Sequence, residues 1–208
     1  MDSKSSRVVY SVFKELDFGT SLADGPFAET ALGRIFQLAN SADAPGEFFV
    51  EDFEPYWPSF DAPAAFMAAP IFEETLTGQT QLGVVIFQFP VDRFKNVMSD
   101  RSSLGETGET YLVGNDLRLR SNSFLDPQNF STEISFARGT VIDTAPVQAG
   151  LFGESGVGVV KNYLNQYVLS AWSPFTFEKF NWVIVSEQAV SEVLNPRDEK
   201  GAEFYASY

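Results

Sequence analysis

The sequence contains no cysteine and no histidine among its 208 residues. Without cysteine the chain forms no disulfide bond, and it has neither a thiol nucleophile nor a thiolate metal ligand. Without histidine it lacks the most common general base and the most common transition-metal ligand. These absences exclude most hydrolase and zinc-enzyme mechanisms, and we expect no catalytic residue, no metal and no cofactor.

Positive charge and long hydrophobic runs are also scarce. Lysine and arginine together number 14 against 28 acidic residues, which gives a formal net charge of −14. Because such a surface repels phosphates and anionic head groups, we expect no nucleic-acid partner. The longest strongly apolar run, residues 83–91, is far shorter than the roughly 20 residues of a membrane-spanning helix. The sequence therefore predicts a soluble protein, or a soluble fragment of a longer one.

A glycine-rich segment at residues 105–114, GETGETYLVG, has some likeness to a phosphate-binding loop. Such loops follow their glycines with lysine and serine or threonine at the start of a helix. Here Gly108 is followed by Glu109, and Glu106 adds a second negative charge where a phosphate needs a positive one. The next residues favour two strands, TYLVG and LRLRS, joined by a turn at Asn115-Asp116. The segment predicts the entrance to a hairpin.

The rest of the first half predicts one helix among strands. Pro26 is typical of a helix start, and Leu32, Ile35 and Phe36 follow at helical spacing, so we expect a helix over residues 27–40. The other predicted elements are a strand at residues 7–13, a short strand followed by a proline-broken loop within residues 48–60, strands at 64–72 and 82–89, and a helix at 91–101.

The second half repeats this order of elements. After the hairpin comes a loop-rich stretch at residues 124–152, and three strands are then expected within residues 156–164, 166–175 and 181–188. Pro70 and Pro174 each close the penultimate strand of their half. A repeat of about 100 residues is longer than those of solenoid proteins, so the pattern predicts two related domains.

These segments resemble the double Cache extracellular sensor region of bacterial transmembrane receptors, which contains two PAS-like modules. Residues 8–36 are similar to a strand and the following helix of the membrane-distal module, and residues 58–72 and 82–94 are similar to its closing strands. Residues 104–123, LGETGETYLVGNDLRLRSNS, are similar to the entrance of the membrane-proximal module. The resemblance implies an α+β fold in which each module is an antiparallel sheet flanked by helices and loops.

The same resemblance implies a domain organisation and a location. Residues 1–91 would form the distal module without the family's first strand and long N-terminal helix, 92–104 a connecting helix and loop, 105–195 the proximal module, and 196–208 a polar tail. The family's members are chemoreceptors, sensor histidine kinases and cyclases. We therefore expect a periplasmic or extracellular sensing domain that is attached to membrane helices, and forms a homodimer, in a full-length receptor.

A ligand-binding site is expected in the distal module, where residues 51–66 combine aromatic walls with polar groups. The expected ligand contacts are Asp17, Thr20, Tyr56, Trp57, Ser59 and Phe66. The Asp17 carboxylate would pair with a ligand amine; alternatively, Asp17 and Thr20 cap turns around Gly19. The arginine and tryptophan motif of amino-acid-binding members is not recognisable, which argues against an amino-acid ligand. A carboxylate and an amine both remain open as ligands.

A second, anion-binding site is a further hypothesis for the proximal module. Arg118 and Arg120 alternate with leucines, which places both arginines on one face of a strand, where Tyr111 could join them. The alternative is that these arginines neutralise acidic neighbours in a very acidic protein.

Other functions remain as alternatives to sensing. The acidic residues of the segment 47–54 lack the ligand spacing and central glycine of a calcium loop. Adjacent acids such as Glu73 and Glu74, or the nearby Asp52 and Glu54, are no evidence for the carboxylate geometry of a glycosidase. A stand-alone binding or adhesion module is the main rival, and a carboxylate-based hydrolase is a weaker one.

Overall fold

The computed structural model describes residues 1–76, 78–90, 98, 101–102 and 104–194. The chain divides into two compact units, the first formed by Met1–Arg93 with Phe177–Phe180 and the second by Phe94–Thr176 with Asn181–Tyr208. Each unit has its own antiparallel sheet, so the α+β fold class is confirmed. The polar tail at 196–208 and most of the predicted helix at 91–101 lie outside the described residues.

Within its described residues, the first unit contains one α-helix and a three-stranded sheet. Its elements are α1 (Ala31–Asn40), β1 (Phe49–Tyr56), a 3-10 turn (Trp57–Ser59), β2 (Ala62–Thr75) and β3 (Gly78–Pro90). The strand order is β1-β2-β3, and both pairings are antiparallel. The strands predicted at 64–72 and 82–89 are confirmed and are longer than expected, because their pairing continues to Thr75 and Gly78.

Helix α1 begins four residues later than predicted. Thr30 is its N-cap, with the hydroxyl accepting a hydrogen bond from the Gly33 amide, while residues 26–29 form turns. Buried residues recur at helical spacing along one face, and they pack against Phe66, Ala68 and Val84 of the sheet. This face consists of Ala31, Leu32, Ile35, Phe36 and Ala39.

The prediction of a strand at residues 7–13 is wrong. Val8 is buried and exchanges backbone hydrogen bonds with Thr20 (3.1 Å) and Gly19 (3.0 Å), but no strand is assigned before α1. The following side chains are exposed to solvent: Val9, Tyr10, Val12 and Phe13. Strand propensity reflects packing on a pleated surface beside other strands, and these residues have no neighbouring strand among the described residues.

Within residues 104–194, the second unit contains a four-stranded sheet and three short helices. Its elements are β4 (Glu109–Gly114), α2 (Thr132–Arg138), α3 (Ala145–Leu151), β5 (Gly156–Lys161), β6 (Tyr167–Phe177), β7 (Phe180–Ala189) and α4 (Val190–Val193). The strand order is β4-β7-β6-β5. All three late strands are confirmed, whereas the loop-rich stretch at 124–152 includes α2 and α3. The core of this unit is formed by Tyr111, Val113, Leu119, Ile142, Val147, Val183 and Val185.

The predicted hairpin at residues 110–121 has its turn at Asn115-Asp116 but only a rudimentary second arm. The Gly114 amide donates to the Arg118 carbonyl (2.9 Å) and the Arg120 amide donates to the Leu112 carbonyl (2.8 Å), which corresponds to a single bridge between Val113 and Leu119. Two backbone amides donate to side chains and not to a partner strand. The Leu112 amide donates to Ser121 Oγ, and the Leu119 amide donates to Ser135 Oγ. Serine hydroxyls compete with strand pairing in this way.

Candidate functional site

A cleft of about 670 Å³ opens in the first unit between residues 8–17 and strand β3. This volume lies in the range of small-molecule sites. Its walls are mostly apolar, and the apolar lining residues are Met1, Val8, Tyr10, Val12, Phe13, Leu32, Phe66, Ile71 and residues 84–87. The polar lining residues are Ser11, Glu15, Asp17 and Gln88.

Asp17 is the most deeply buried polar residue of the cleft. It is 8 % exposed, and its Oδ2 accepts a hydrogen bond of 3.1 Å from the Tyr56 hydroxyl. Its Oδ1 is buried and receives no hydrogen bond from the described part of the chain. Burial, followed by the nearby Asp17 carboxylate, raises the pKa of Tyr56 well above its ordinary value, so the phenol remains a donor. One carboxylate oxygen of Asp17 is therefore buried without a hydrogen-bond donor among the described residues.

A tight turn holds Asp17 in this position. The Thr20 amide and hydroxyl both donate to the Asp17 carbonyl, at 3.1 and 2.6 Å. Gly19 has a φ of 78°, a conformation that glycine adopts without strain. Thr20 thus stabilises the turn around Gly19, which is the alternative role considered from the sequence. The side chain of Asp17 lies in the wall of the cleft.

Two neighbouring side chains support the polar part of the cleft from β1 and the turn that follows it. Tyr56 is buried and packs edge-to-face on Phe66, with ring centroids 5.1 Å apart. Ser59 donates a hydrogen bond of 2.9 Å to Glu15 Oε2, and Gln88 Nε2 lies 3.5 Å from the Ser59 hydroxyl. These contacts orient the two carboxylates of the cleft.

The six predicted ligand residues therefore separate into three pairs. Asp17 and Phe66 line the cleft. Tyr56 and Ser59 contact its carboxylates, and the remaining two lie outside the lining. Trp57 is 59 % exposed and packs on Phe27, with centroids 5.6 Å apart.

Sequence reasoning missed the wall formed by residues 8–15 and β3. The apolar run at 7–13 indicated a strand, and an apolar side chain on a strand gives no signal of lining a cleft. The one available signal was the acidic pair Glu15 and Asp17 directly after that run.

The second predicted site is only partly assembled. Arg118 and Arg120 each place the guanidinium carbon 5.2 Å from the centroid of the Phe136 ring, although the expected strand is reduced to a single bridge here. Asp116 pairs with Arg120 at 2.9 Å and approaches Arg118 at 3.9 Å. The Tyr111 hydroxyl donates instead to Glu187 Oε1 at 3.0 Å. Anion binding by these three residues stays a prediction. Both arginines already have the Asp116 carboxylate of the same chain as a partner.

The glycine-rich loop also receives an internal carboxylate. Glu192 accepts hydrogen bonds from the amides of Glu106 and Thr107, each 2.8 Å long, and from the Thr107 hydroxyl. These hydrogen bonds lower the pKa of the exposed Glu192 to about 2. The backbone amides that a phosphate would need are already used by the chain, in agreement with the hairpin interpretation.

The carboxylates considered for catalysis or calcium binding have structural roles or lie apart. Glu54 pairs with Arg34 at 2.7 Å and accepts a hydrogen bond from the Ala31 amide at the start of α1. Glu73 and Glu74 are successive residues of β2, so their side chains point to opposite faces of the sheet. Within the described ranges, no group of three or more acidic residues is placed to hold a metal ion.

None of the helices in the described part of the chain has the length and apolar character needed to cross a bilayer.

The α+β fold with antiparallel sheets is similar to that of a sensory domain of a bacterial chemoreceptor. The periplasmic sensory domain of the Campylobacter jejuni chemoreceptor Tlp1 aligns with a TM-score of 0.53 and 13 % identity, over 77 % of this chain and 55 % of that chain. At this identity the similarity shows the fold.

Weaker structural similarities extend to two ligand-binding domains from Pseudomonas. That of the Pseudomonas aeruginosa PAO1 chemoreceptor PctB with L-Gln has a TM-score of 0.45 at 14 % identity, over 83 % of this chain and 62 % of that chain. That of the Pseudomonas fluorescens chemoreceptor CtaA with L-leucine has 0.45 at 12 %, over 77 % and 60 %. The chain thus spans less than two thirds of the length of these domains. No protein family and no curated protein matches the sequence.

Proposed function

We propose that this chain is an extracytoplasmic sensing domain of a bacterial transmembrane receptor, and that it binds a small molecule in the cleft of the first unit. The fold shared with the Tlp1 sensory domain supports a sensing role. The observation that carries the binding role is Asp17, a buried carboxylate in the cleft wall with one oxygen that lacks a donor. The proposal assigns no catalytic step and no cofactor.

The chemistry of the cleft favours a ligand with a protonated amine and an apolar body. A buried carboxylate oxygen without a donor is destabilising, and an ammonium group would supply both a donor and the opposite charge. The described lining residues include the carboxylates of Glu15 and Asp17 and no lysine or arginine. They would repel a ligand carboxylate, while the apolar walls would bury a hydrocarbon or aromatic body.

The wall formed by residues 8–17 is suited to respond to such a ligand. Side-chain hydrogen bonds from Tyr56 to Asp17 and from Ser59 to Glu15 attach it to β1 and the turn that follows, and several of its apolar side chains are exposed. A ligand that prefers one position of this wall would shift the unit toward that position. In the parent receptor the change would pass to flanking membrane helices. Hydrophobic helices encoded beside this region would support that role, and their absence would contradict it.

Three probes with one aromatic body test the binding proposal: phenethylamine, hydrocinnamate and phenethyl alcohol. We expect phenethylamine alone to raise the thermal unfolding midpoint and to give a binding isotherm by calorimetry. Asp17→Asn should abolish this binding, because the amide keeps an acceptor for Tyr56 but loses the charge. Asp24→Asn, at an exposed aspartate of the same unit, is the matched control and should bind as the wild type does.

The outcomes separate the site from the ligand class. Binding of hydrocinnamate and not of phenethylamine would contradict the proposal of an amine ligand. It would still support the proposal that the cleft binds a ligand. Amine binding that survives Asp17→Asn would contradict the site. Failure of all three probes would contradict a ligand site of this chemistry in the first unit.

A further inference from the structure

Two buried carboxylates face each other in the second unit. Glu109 of β4 and Glu187 of β7 are direct partners in the antiparallel pairing, and they are 1 % and 3 % exposed. Side chains at such positions leave the same face of the sheet with Cβ atoms about 5 Å apart. Neither carboxylate forms an ion pair with a lysine or arginine in the described ranges. Two negative charges here would repel each other with little screening by water.

The hydrogen bonds around Glu109 suit a carboxylate anion. Its Oε2 accepts hydrogen bonds from Ser123 Oγ (3.0 Å) and the Phe124 amide (2.9 Å), and its Oε1 accepts one from the Tyr163 hydroxyl. The amide of Leu125 lies 3.4 Å from the same Oε2. The Ser123 and Tyr163 hydroxyls also lie 2.7 Å apart, so one of them can donate to the other. The remaining hydroxyl and the Phe124 amide donate to Glu109, so its charged form is well solvated by the chain.

The surroundings of Glu187 are different. Its Oε1 accepts hydrogen bonds from the Tyr111 hydroxyl (3.0 Å) and Ser170 Oγ (3.3 Å). Its Oε2 is buried and accepts no hydrogen bond from the described residues. An unsolvated carboxylate oxygen is unfavourable in such a place, whereas a protonated one removes both the charge and the repulsion from Glu109. The geometry therefore assigns the proton of the pair to Glu187.

We propose that Glu109 and Glu187 form a proton-binding site, which holds one proton on Glu187 in acidic medium and loses it as the medium becomes alkaline, weakening the β4–β7 pairing. This site lies in the second unit and does not depend on the ligand cleft. It would make the stability of this unit respond to pH in the neutral range.

The titratable groups around Glu187 agree with this assignment. Burial, with a further contribution from the Glu109 carboxylate, raises the pKa of Glu187 to about 7, although the hydrogen bond from Tyr111 acts in the opposite direction. Tyr111 and Tyr163 remain neutral donors, because burial, followed by the adjacent carboxylates, raises the pKa of each phenol. Ser170 of β6 and Asn162 are uncharged; as hydrogen-bond donors they lower the pKa of Glu187, as Tyr111 does, but they do not cancel the effect of burial.

The sign of the pH effect follows from these groups. The folded pKa of Glu187 is above its value of 4.5 in the absence of such surroundings. The folded state therefore binds more protons than the unfolded state between these two values, and stability falls as the pH rises through this window. Above about pH 7 the whole stabilising contribution of the proton on Glu187 is lost.

Urea unfolding between pH 5 and pH 8.5 tests the proposal by comparing the wild type with Glu187→Gln. Glutamine imitates the protonated acid and keeps an acceptor for Tyr111. A Trp57→Phe background leaves Trp172 and Trp182, both in the second unit, as the fluorescent reporters. Across this range we expect the unfolding constant of the wild type to increase roughly a hundredfold relative to that of Glu187→Gln. Glu154→Gln, at an exposed position, should follow the wild type.

A carboxyl-carbon NMR titration reads the same site directly and does not require a folded variant. The Glu187 resonance in the wild type should titrate near neutrality, and in Glu109→Gln its midpoint should move down because the repelling charge is gone. A wild-type midpoint below pH 5 would overturn the proposal. Parallel pH profiles for the wild type and a folded Glu187→Gln would overturn it as well.

Discussion

Tyr56 supplies the one hydrogen bond that the Asp17 side chain accepts within the described residues. Tyr56→Phe would keep the packing on Phe66 but leave a buried carboxylate without a donor. We expect a loss of about 1–3 kcal/mol in the free energy of unfolding, measured by urea denaturation. Tyr10→Phe is the control, because Tyr10 is 74 % exposed, and its effect should be within about 0.5 kcal/mol. Equal effects of the two substitutions would contradict the role given to this hydrogen bond.

At the scale of elements, Gly33 shows why α1 begins where it does. A Cβ at this position would lie 2.2 Å from the Ala28 carbonyl oxygen and 2.4 Å from that of Phe27, so the preceding loop packs directly on the first turn. Gly33→Ala should therefore destabilise the chain, by about 1–3 kcal/mol, although alanine favours helices. The control is Gly46→Ala, where a Cβ meets open space and the strain comes from a φ of 90° alone. Thermal unfolding in which Gly33→Ala is the more stable variant would contradict this contact.

Elements with a clear period were predictable from the sequence. Ile35 and Phe36 mark the buried face of α1, and the apolar runs of β2, β3 and β7 were long enough to be recognised in isolation. The strand expected at 7–13 failed because β-branched residues favour a strand only where a partner strand is available. The residue types of Val9 and Tyr10 favour a strand, but the described residues offer them no strand to pair with.

Two polar residues of the candidate site could be predicted from the sequence, but the apolar walls of the cleft could not. Asp17 and Tyr56 are 39 positions apart in the sequence. Each could be recognised as a candidate, Asp17 as a carboxylate in a turn and Tyr56 as an aromatic residue at the end of a strand. The buried pair of Glu109 and Glu187 depends on strand register, which a single sequence does not specify for two strands so far apart. In the sequence, Glu109 belongs to the predicted entrance of a hairpin, and Glu187 carries no functional signal.

At the scale of the whole molecule, the net charge of −14 opposes compaction through self-repulsion. Added salt screens interactions between exposed charges, and the Debye length shortens to about 8 Å at physiological ionic strength. We therefore expect the thermal unfolding midpoint to rise by a few degrees between about 10 and 200 mM NaCl. Differential scanning calorimetry at constant pH measures this shift.

A charge variant distinguishes screening from a general effect of the salt. Glu29 and Glu154 are both exposed, so Glu29→Lys with Glu154→Lys removes two negative charges and adds two positive ones without disturbing a core. With less repulsion to screen, this variant should have a higher midpoint at low salt and a smaller increase on adding NaCl. A midpoint that falls with salt in the wild type would mean that favourable ion pairs such as Arg34–Glu54 outweigh the repulsion. An equal increase in both proteins would assign the effect to the salt itself.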